Sequence, residues 1–250
     1  MNFDFVLCGV GGQGVLSVAW VIGQAALEAG LYIKQPEVHG MAQRGGAVSA
    51  FVRLSDTPIA SDLIPDGTAS LVLSVEPMES LRYAAMLRPD GWIVTDVEPI
   101  LNVDNYPELD ALCDVLFSVP NLVAVNATHL AHKAGTSRAQ NMVMLGAAAS
   151  RLPISASLLE KYVAALFEAK GQRIVDSNIR AFRSGQAASE CLAALVAAGV
   201  PSARAARAVA GMEFGPEPVA THRVDETVAA LKQHDGDAHA SSLFAHRVRA

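Results

Sequence analysis

The sequence predicts a three-layer α/β domain with a largely parallel sheet and an alanine-rich helical extension at its C-terminal end. Three observations lead there. A short apolar run, Phe3 to Cys8, stops at Gly9 and passes through a glycine-rich turn into a helix-forming stretch. Apolar runs of strand length then alternate with helical patterns, the order that builds a parallel sheet covered on both faces. Hydrophobic residues make up 51% of the 250 positions and charged residues 18%, which suits a packed core and not a disordered chain.

Each element has a local reason. Val15 to Ala29 has helical composition, and Gly30 closes it. Leu31 to Gln35 reads as a second strand ended by Pro36, and a polar loop follows from Glu37 to Gly46. Ala47 to Leu54 alternates and carries β-branched and aromatic residues, the mark of a third strand. Ala69 to Val75 is a strand and Pro77 to Leu87 a helix. Pro89-Asp90-Gly91 is a turn, since proline presets φ and glycine bends freely. Trp92 to Val97 and Leu122 to Asn126 are strands. Thr128 to Ala134 is a short helix with Thr128 as its cap. Asn141 to Ser150 is helical, as is Ser155 to Ala169, with Ser155 as N-cap. Met142, Met144 and Leu145 form an apolar stripe for the core or a subunit interface.

Composition shifts near Gly185, dividing the chain into a domain over 1–185 and an extension over 186–250. The extension has only two aromatics, Phe214 and Phe244, and helical stretches at Ala187 to Ala198 and Ser202 to Ala210. From Asp235 on, weak order is expected.

Several function classes are disfavoured. With 19 basic and 25 acidic residues the net charge is −6, which argues against nucleic acid as a partner. No run reaches the ~20 apolar residues of a membrane span, and no basic n-region precedes the first apolar run, so a cytoplasmic protein is expected. The three cysteines, Cys8, Cys113 and Cys191, are scattered. They cannot supply the four thiolates of an iron–sulfur cluster, and they do not pair as a disulfide scaffold.

Two motifs carry chemistry. Gly9-x-Gly11-x-x-Gly14 lies between a strand and a helix, the Rossmann-like setting in which backbone N–H groups and a helix N-terminus can meet a phosphate. The dinucleotide fingerprint also needs an acid roughly 20 residues on. That position holds Lys34, and Glu37 is the nearest acid beyond it. The loop is therefore read as a contact for some phosphate or partner chain, or as a purely structural turn, ahead of nicotinamide binding. Glu37-Val38-His39-Gly40-Met41-Ala42-Gln43-Arg44-Gly45-Gly46 is dense in polar types for a plain connection. Arg44 could fork an anion and His39 exchange a proton; the bland alternative is a turn that caps itself. Following the second strand, this loop should share a sheet edge with the Gly9 loop, where ligands of open α/β sheets bind.

Lesser features read blandly. Glu79 and Arg82 pair on a helix surface, and Glu76 ends a strand beside the expected site. His129 and His132 share a helix face but lack a third metal ligand. His222, His234, His239 and His246 read as solvated.

Together these segments resemble the gamma domain of 2-oxoacid:ferredoxin oxidoreductases. Gly9 to Ser17 (Gly12 and Gln13 included) and Glu37 to Gly46 carry the likeness. Val75 to Tyr83, Leu87 to Gly91, Asn126-Ala127-Thr128, Asn141 to Gly146 and Asn178 to Gly185 extend it, so it covers about residues 1–185. Such enzymes turn a 2-oxoacid and coenzyme A into an acyl-CoA and pass electrons to ferredoxin. The resemblance implies a subunit, active only with a large alpha subunit, acting on an aryl pyruvate such as indolepyruvate. The partner would carry thiamine diphosphate and iron–sulfur clusters, and this chain alone would bind neither. No Gly-Asp-Gly thiamine diphosphate signature occurs here, since Asp66-Gly67 lacks the preceding glycine. The two glycine loops would frame the substrate side, with coenzyme A at the interface. Arg44 would draw an anionic group, and His39 and Gln43 would hydrogen-bond. Gly45 and Gly46 would allow close approach. Two rival readings stay open: a stand-alone enzyme using NAD or FAD, and a non-catalytic assembly subunit.

Overall fold

A computed structural model describes residues 1–39, 45–101 and 105–233, with only the backbone of His39 and Gln233. Seven strands form one sheet: β1 (Asn2–Val10), β2 (Tyr32–Lys34), β3 (Glu37–His39), β4 (Ala47–Ser55), β5 (Ala69–Ser74), β6 (Leu87–Asp96) and β7 (Leu122–Val125). Their order is β2-β4-β1-β5-β6-β7, with β3 also on β4. Only β4 runs against the others. It pairs antiparallel with β1, β2 and β3, while β1, β5, β6 and β7 pair in parallel. The expected largely parallel sheet is present, with one reversed strand inserted beside β1.

The helices are α1 (Val15–Glu28), α2 (Pro77–Arg82), α3 (Leu109–Phe117), α4 (Ala127–Lys133), α5 (Gln140–Ala148), α6 (Ala156–Phe167), α7 (Gln172–Ala197), α8 (Ser202–Ala210) and α9 (Thr221–Gln233). α1 packs on β1, β2 and β4, and α5 on β5, β6 and β7; α6 joins α1 and α7 lies behind α5. α2 meets β1, β5 and β6 and packs on α3. β5, central in the sheet, is buried along its whole length, its apolar Leu71-Val72-Leu73 flanked by buried serines. α5 is buried from Asn141 to Ala148, which places Met142, Met144 and Leu145 in the core of this chain.

Several local expectations change. Glu37 to His39 is not loop but edge strand. Pro36, which cannot donate to a ladder, splits this sheet edge into β2 and β3, and its carbonyl still accepts the Phe51 N–H at 2.9 Å. The helix from Pro77 ends at Arg82, and a single 3₁₀ turn over Ala84–Met86 leads straight into β6. Pro89 to Gly91 is a bulge within β6, not a turn before it: Ala69 faces Leu87 and Leu71 already faces Trp92. A side chain at Gly91 would come within 3.0 Å of the carbonyl oxygens of Ala69 and Arg88, so glycine lets the bulge close. The cap of α4 is Asn126, whose Oδ1 accepts from the His129 N–H at 2.9 Å. Thr128 lies two residues too late and bonds Gln140 instead. Ser155 caps α6 as expected, accepting from the Leu158 N–H. The boundary at 185/186 falls inside α7, which runs unbroken through it. The tail from Asp235 lies outside the described residues.

Candidate functional site

β1 sends the chain through Gly9–Gly14 into α1, while its parallel neighbour β5 leads into α2. The carboxyl ends of β1, β5 and β6 therefore gather the Gly9 loop, Glu76 and Asp96 on one edge of the sheet. That is the edge where open α/β sheets place ligands. β3 runs toward it and β4 starts from it, so the second glycine-rich segment arrives there too. Gly11 N–H donates to Gly46 O at 2.8 Å, and Gly45 N–H donates to Gly11 O at 3.3 Å. The two motifs, separate in sequence, are one structure at their glycines. Glu37 is exposed and accepts from Gln35 at 3.0 Å. Gln43 and Arg44, with Gly40, Met41 and Ala42, lie outside the described residues, as does the side chain of His39.

Within the Gly9 loop the residues divide by role. Gly12 is exposed at φ 101°, with nothing near the place of a Cβ. Gly14, at φ 80°, caps α1, and a Cβ there would lie 2.4 Å from Asn141 Nδ2. That amide donates to Gly14 O at 3.1 Å, tying the loop to α5. Gly9 touches Val75, where a Cβ would come within 2.3 Å of Cγ2. Gln13 is buried rather than offered to a ligand. Its Oε1 accepts from Val10 N–H at 2.7 Å and its Nε2 donates to Val75 O at 2.6 Å.

Two buried carboxyls stand at the same edge. Glu76 is fully buried; Oε2 accepts from Glu79 N–H at 2.8 Å, and Oε1 takes the Tyr106 hydroxyl and, at 3.4 Å, Ile100 N–H. Burial raises its pKa and that of Tyr106. Glu79 pairs with Arg82 at 3.1 Å, as the i, i+3 spacing predicts, but Glu79 is buried and only Arg82 lies on the surface. Asp96 went unread in the sequence, although an acid closing an apolar strand is itself a signal. Its Oδ1 accepts from Glu98 and Ala127 N–H groups at 3.0 Å each, but its Oδ2 is buried without a partner among the described residues. Burial pushes its pKa up to about 7.

This has a measurable consequence. Between the ordinary carboxylate range and about pH 7, native Asp96 holds a proton that the unfolded chain has released. Its contribution to stability is therefore fully present at the acid end and lost as pH rises toward 7, by at most ~1.4 kcal/mol per pH unit. Asp96→Asn keeps the Oδ1 acceptor and cannot ionise. The difference in urea stability between Asp96→Asn and wild type should grow in favour of the variant from pH 5 to pH 8. A constant difference would place the ionisation elsewhere.

Cys8 lies within β1 with its thiol on Glu79 O at 3.5 Å, and burial pushes its pKa up to about 12, so it is no thiolate nucleophile. Cys8, Cys113 and Cys191 are each buried, on three different elements. His129 lies 3.1 Å from Glu213; among the described residues no three His, Cys, Asp or Glu side chains group to hold a metal. Nor is any helix described here long and apolar enough to cross a membrane.

A mostly parallel sheet, with two glycine loops fastened together at the carboxyl end of β1, defines an α/β protein. Residues 4–188 match the sequence profile of the pyruvate ferredoxin/flavodoxin oxidoreductase family, and the chain belongs to that family. It is 37% identical over 194 residues to the indolepyruvate oxidoreductase subunit IorB of Methanothermobacter thermautotrophicus, covering 74% of this chain and 96% of that one. The subunit of the same name from Pyrococcus horikoshii is 36% identical over 202 residues, covering 76% and 98%. The fold is that of the gamma subunit of keto/oxoacid ferredoxin oxidoreductase from Geobacter sulfurreducens, with TM-score 0.56, 23% identity, and 74% and 94% of the chains covered. It also matches 31% of a 2-oxoglutarate:ferredoxin oxidoreductase chain from Magnetococcus marinus, with TM-score 0.60, 22% identity and 76% of this chain covered.

Proposed function

We propose that this chain is the small subunit of an indolepyruvate:ferredoxin oxidoreductase, working only in complex with a large subunit. The observation that carries the site is the pair of backbone bonds fastening Gly11 to Gly45 and Gly46. They make one glycine-lined ledge from the two motifs, at the edge where a partner's cofactor could be approached closely. The likeness to indolepyruvate oxidoreductase subunits over nearly their whole length supports the substrate class. The chain's own chemistry fits a supporting part. It has three cysteines where a cluster needs four thiolates. Gln13, Glu76 and Asp96 brace the edge from within.

Thiamine diphosphate and iron–sulfur clusters, which the large subunit would hold, would supply the decarboxylation and electron-transfer chemistry. This chain would contribute the walls: Gly9, Gly11, Gly12 and Gly14 for close approach, Arg44 for an anionic group of oxoacid or coenzyme A, and Glu37, His39 and Gln43 for hydrogen bonds. The missing ribose acid near Lys34 weighs against the stand-alone NAD or FAD reading.

Arg44→Ala in the reconstituted complex tests the assignment. Loss of a charge-assisted bond should raise KM for the oxoacid or coenzyme A by roughly tenfold or more. Unchanged KM for both would remove Arg44 from the site, and activity of this chain alone would remove the subunit reading.

A further inference from the structure

Outside the glycine edge, α4, α7 and the extension form an open cavity of about 430 Å³ lined by Lys133, Arg180, Ser184, Glu213, Phe214 and Arg223, among others. Lys133, Arg180 and Ser184 come from within residues 4–188, whereas Glu213, Phe214 and Arg223 lie beyond them. The cavity is thus created where the extension folds back on the family domain. It gathers three cations around one carboxylate in a chain whose net charge is −6. Glu213 is already engaged by Lys133 and His129. Neither Arg180 nor Arg223 has a carboxylate partner among the described residues.

Both guanidiniums are held in place by neutral groups. Arg180 donates through Nε and Nη2 to Ala134 O at 3.1 and 2.9 Å, and through Nη2 to Ser177 Oγ at 3.0 Å. Arg223 donates through Nη2 to Glu213 O and stacks over the Phe214 ring at 5.2 Å. A guanidinium carries five N–H donors, so both retain donors, fixed in orientation, beside the same cavity. Positioned forks of this kind, with an ammonium nearby, match the several acceptor oxygens of a phosphate.

We propose that this cavity is a phosphate site, taking free phosphate or the phosphate group of a small metabolite, and that it gives the extension a ligand-dependent hold on the family domain. The full-length chain is titrated with inorganic phosphate and, separately, with glycerol 3-phosphate, against chloride at equal ionic strength. Calorimetry and thermal unfolding are the readouts. Binding should raise the melting temperature, and Arg223→Gln and Arg180→Lys should each weaken it at least tenfold. Tighter binding of the ester identifies a phosphorylated metabolite as the source, and equal or weaker binding identifies free phosphate. Arg223→Gln sits on the outermost helix and keeps the fold testable where Arg180→Lys disturbs α4. No binding of either probe at 10 mM, or wild-type affinity in a folded Arg223→Gln, would overturn the proposal.

Discussion

Gly146→Ala and Gly185→Ala should each destabilise the protein by ~3 kcal/mol or more, and both together should prevent soluble folding. α5 and α7 cross with these two glycines against each other's backbone. A Cβ at Gly146 would lie 1.8 Å from the carbonyl oxygen of Phe182, and one at Gly185 would lie 1.9 Å from that of Val143. Neither obstacle is the end of a side chain that can swing away; each is the backbone of a fully buried residue. Relief means moving α7 off α5, which would open the core around Met142, Val143, Ala181 and Phe182, all fully buried. A folded domain has only ~5–15 kcal/mol in total, so a single such step is a large fraction of it. Gly23→Ala is the contrasting case. Gly23 lies inside α1 and its Cβ would meet Ile33 at 3.6 Å, an ordinary contact. That substitution should stabilise by ~0.5–1 kcal/mol, because alanine gives up less backbone entropy in a helix. Urea midpoints of the three variants read the contrast directly. Similar small shifts for all three would mean that the α5–α7 crossing is looser than its geometry.

The same glycines explain where the sequence was legible and where it misled. Strand periodicity and flanking turns located six strands, five of them by apolar side chains they bury and the exposed β2 by the glycine and proline that bound it. β3 was read as loop because its three residues satisfy a sheet edge with backbone bonds alone, and Glu37-Val38-His39 carries no alternation long enough to see. α3 and α9 were missed for a related reason: their faces are defined by neighbours distant in sequence, such as the α8 that packs on α3. Gly185, beside a change in composition, looked like the end of a domain. In three dimensions it is where α7 presses its backbone against α5, and α7 carries on for another twelve residues to Ala197. The glycine-loop motifs were legible because glycine is placed by backbone need. Asp96 and the inward turn of Gln13 were not, because a polar side chain is tied to its partners only once the strands have been brought together.

Gln13 gives the second large effect. Gln13→Met preserves volume and apolar reach but removes both hydrogen bonds of the amide, the one accepted from Val10 N–H and the one donated to Val75 O. The two backbone groups released are buried at the carboxyl ends of β1 and β5, and each unpaired group costs ~1–3 kcal/mol, so a loss of roughly 2–4 kcal/mol is expected. Amide exchange should separate this from a general loosening, since Val10 N–H should lose protection far more than amides of β5 and β7. The functional consequence follows from geometry. Gln13 lies between Gly11, bonded to Gly46, and Gly14, bonded to Asn141, so without its anchor the ledge formed by the two motifs keeps its ends and loses its middle. In the reconstituted complex, Gln13→Met should then lower kcat/KM more than its stability loss accounts for under conditions where the fold remains fully populated. If activity is preserved while Val10 protection is lost, the ledge matters to folding and not to the close approach proposed for it.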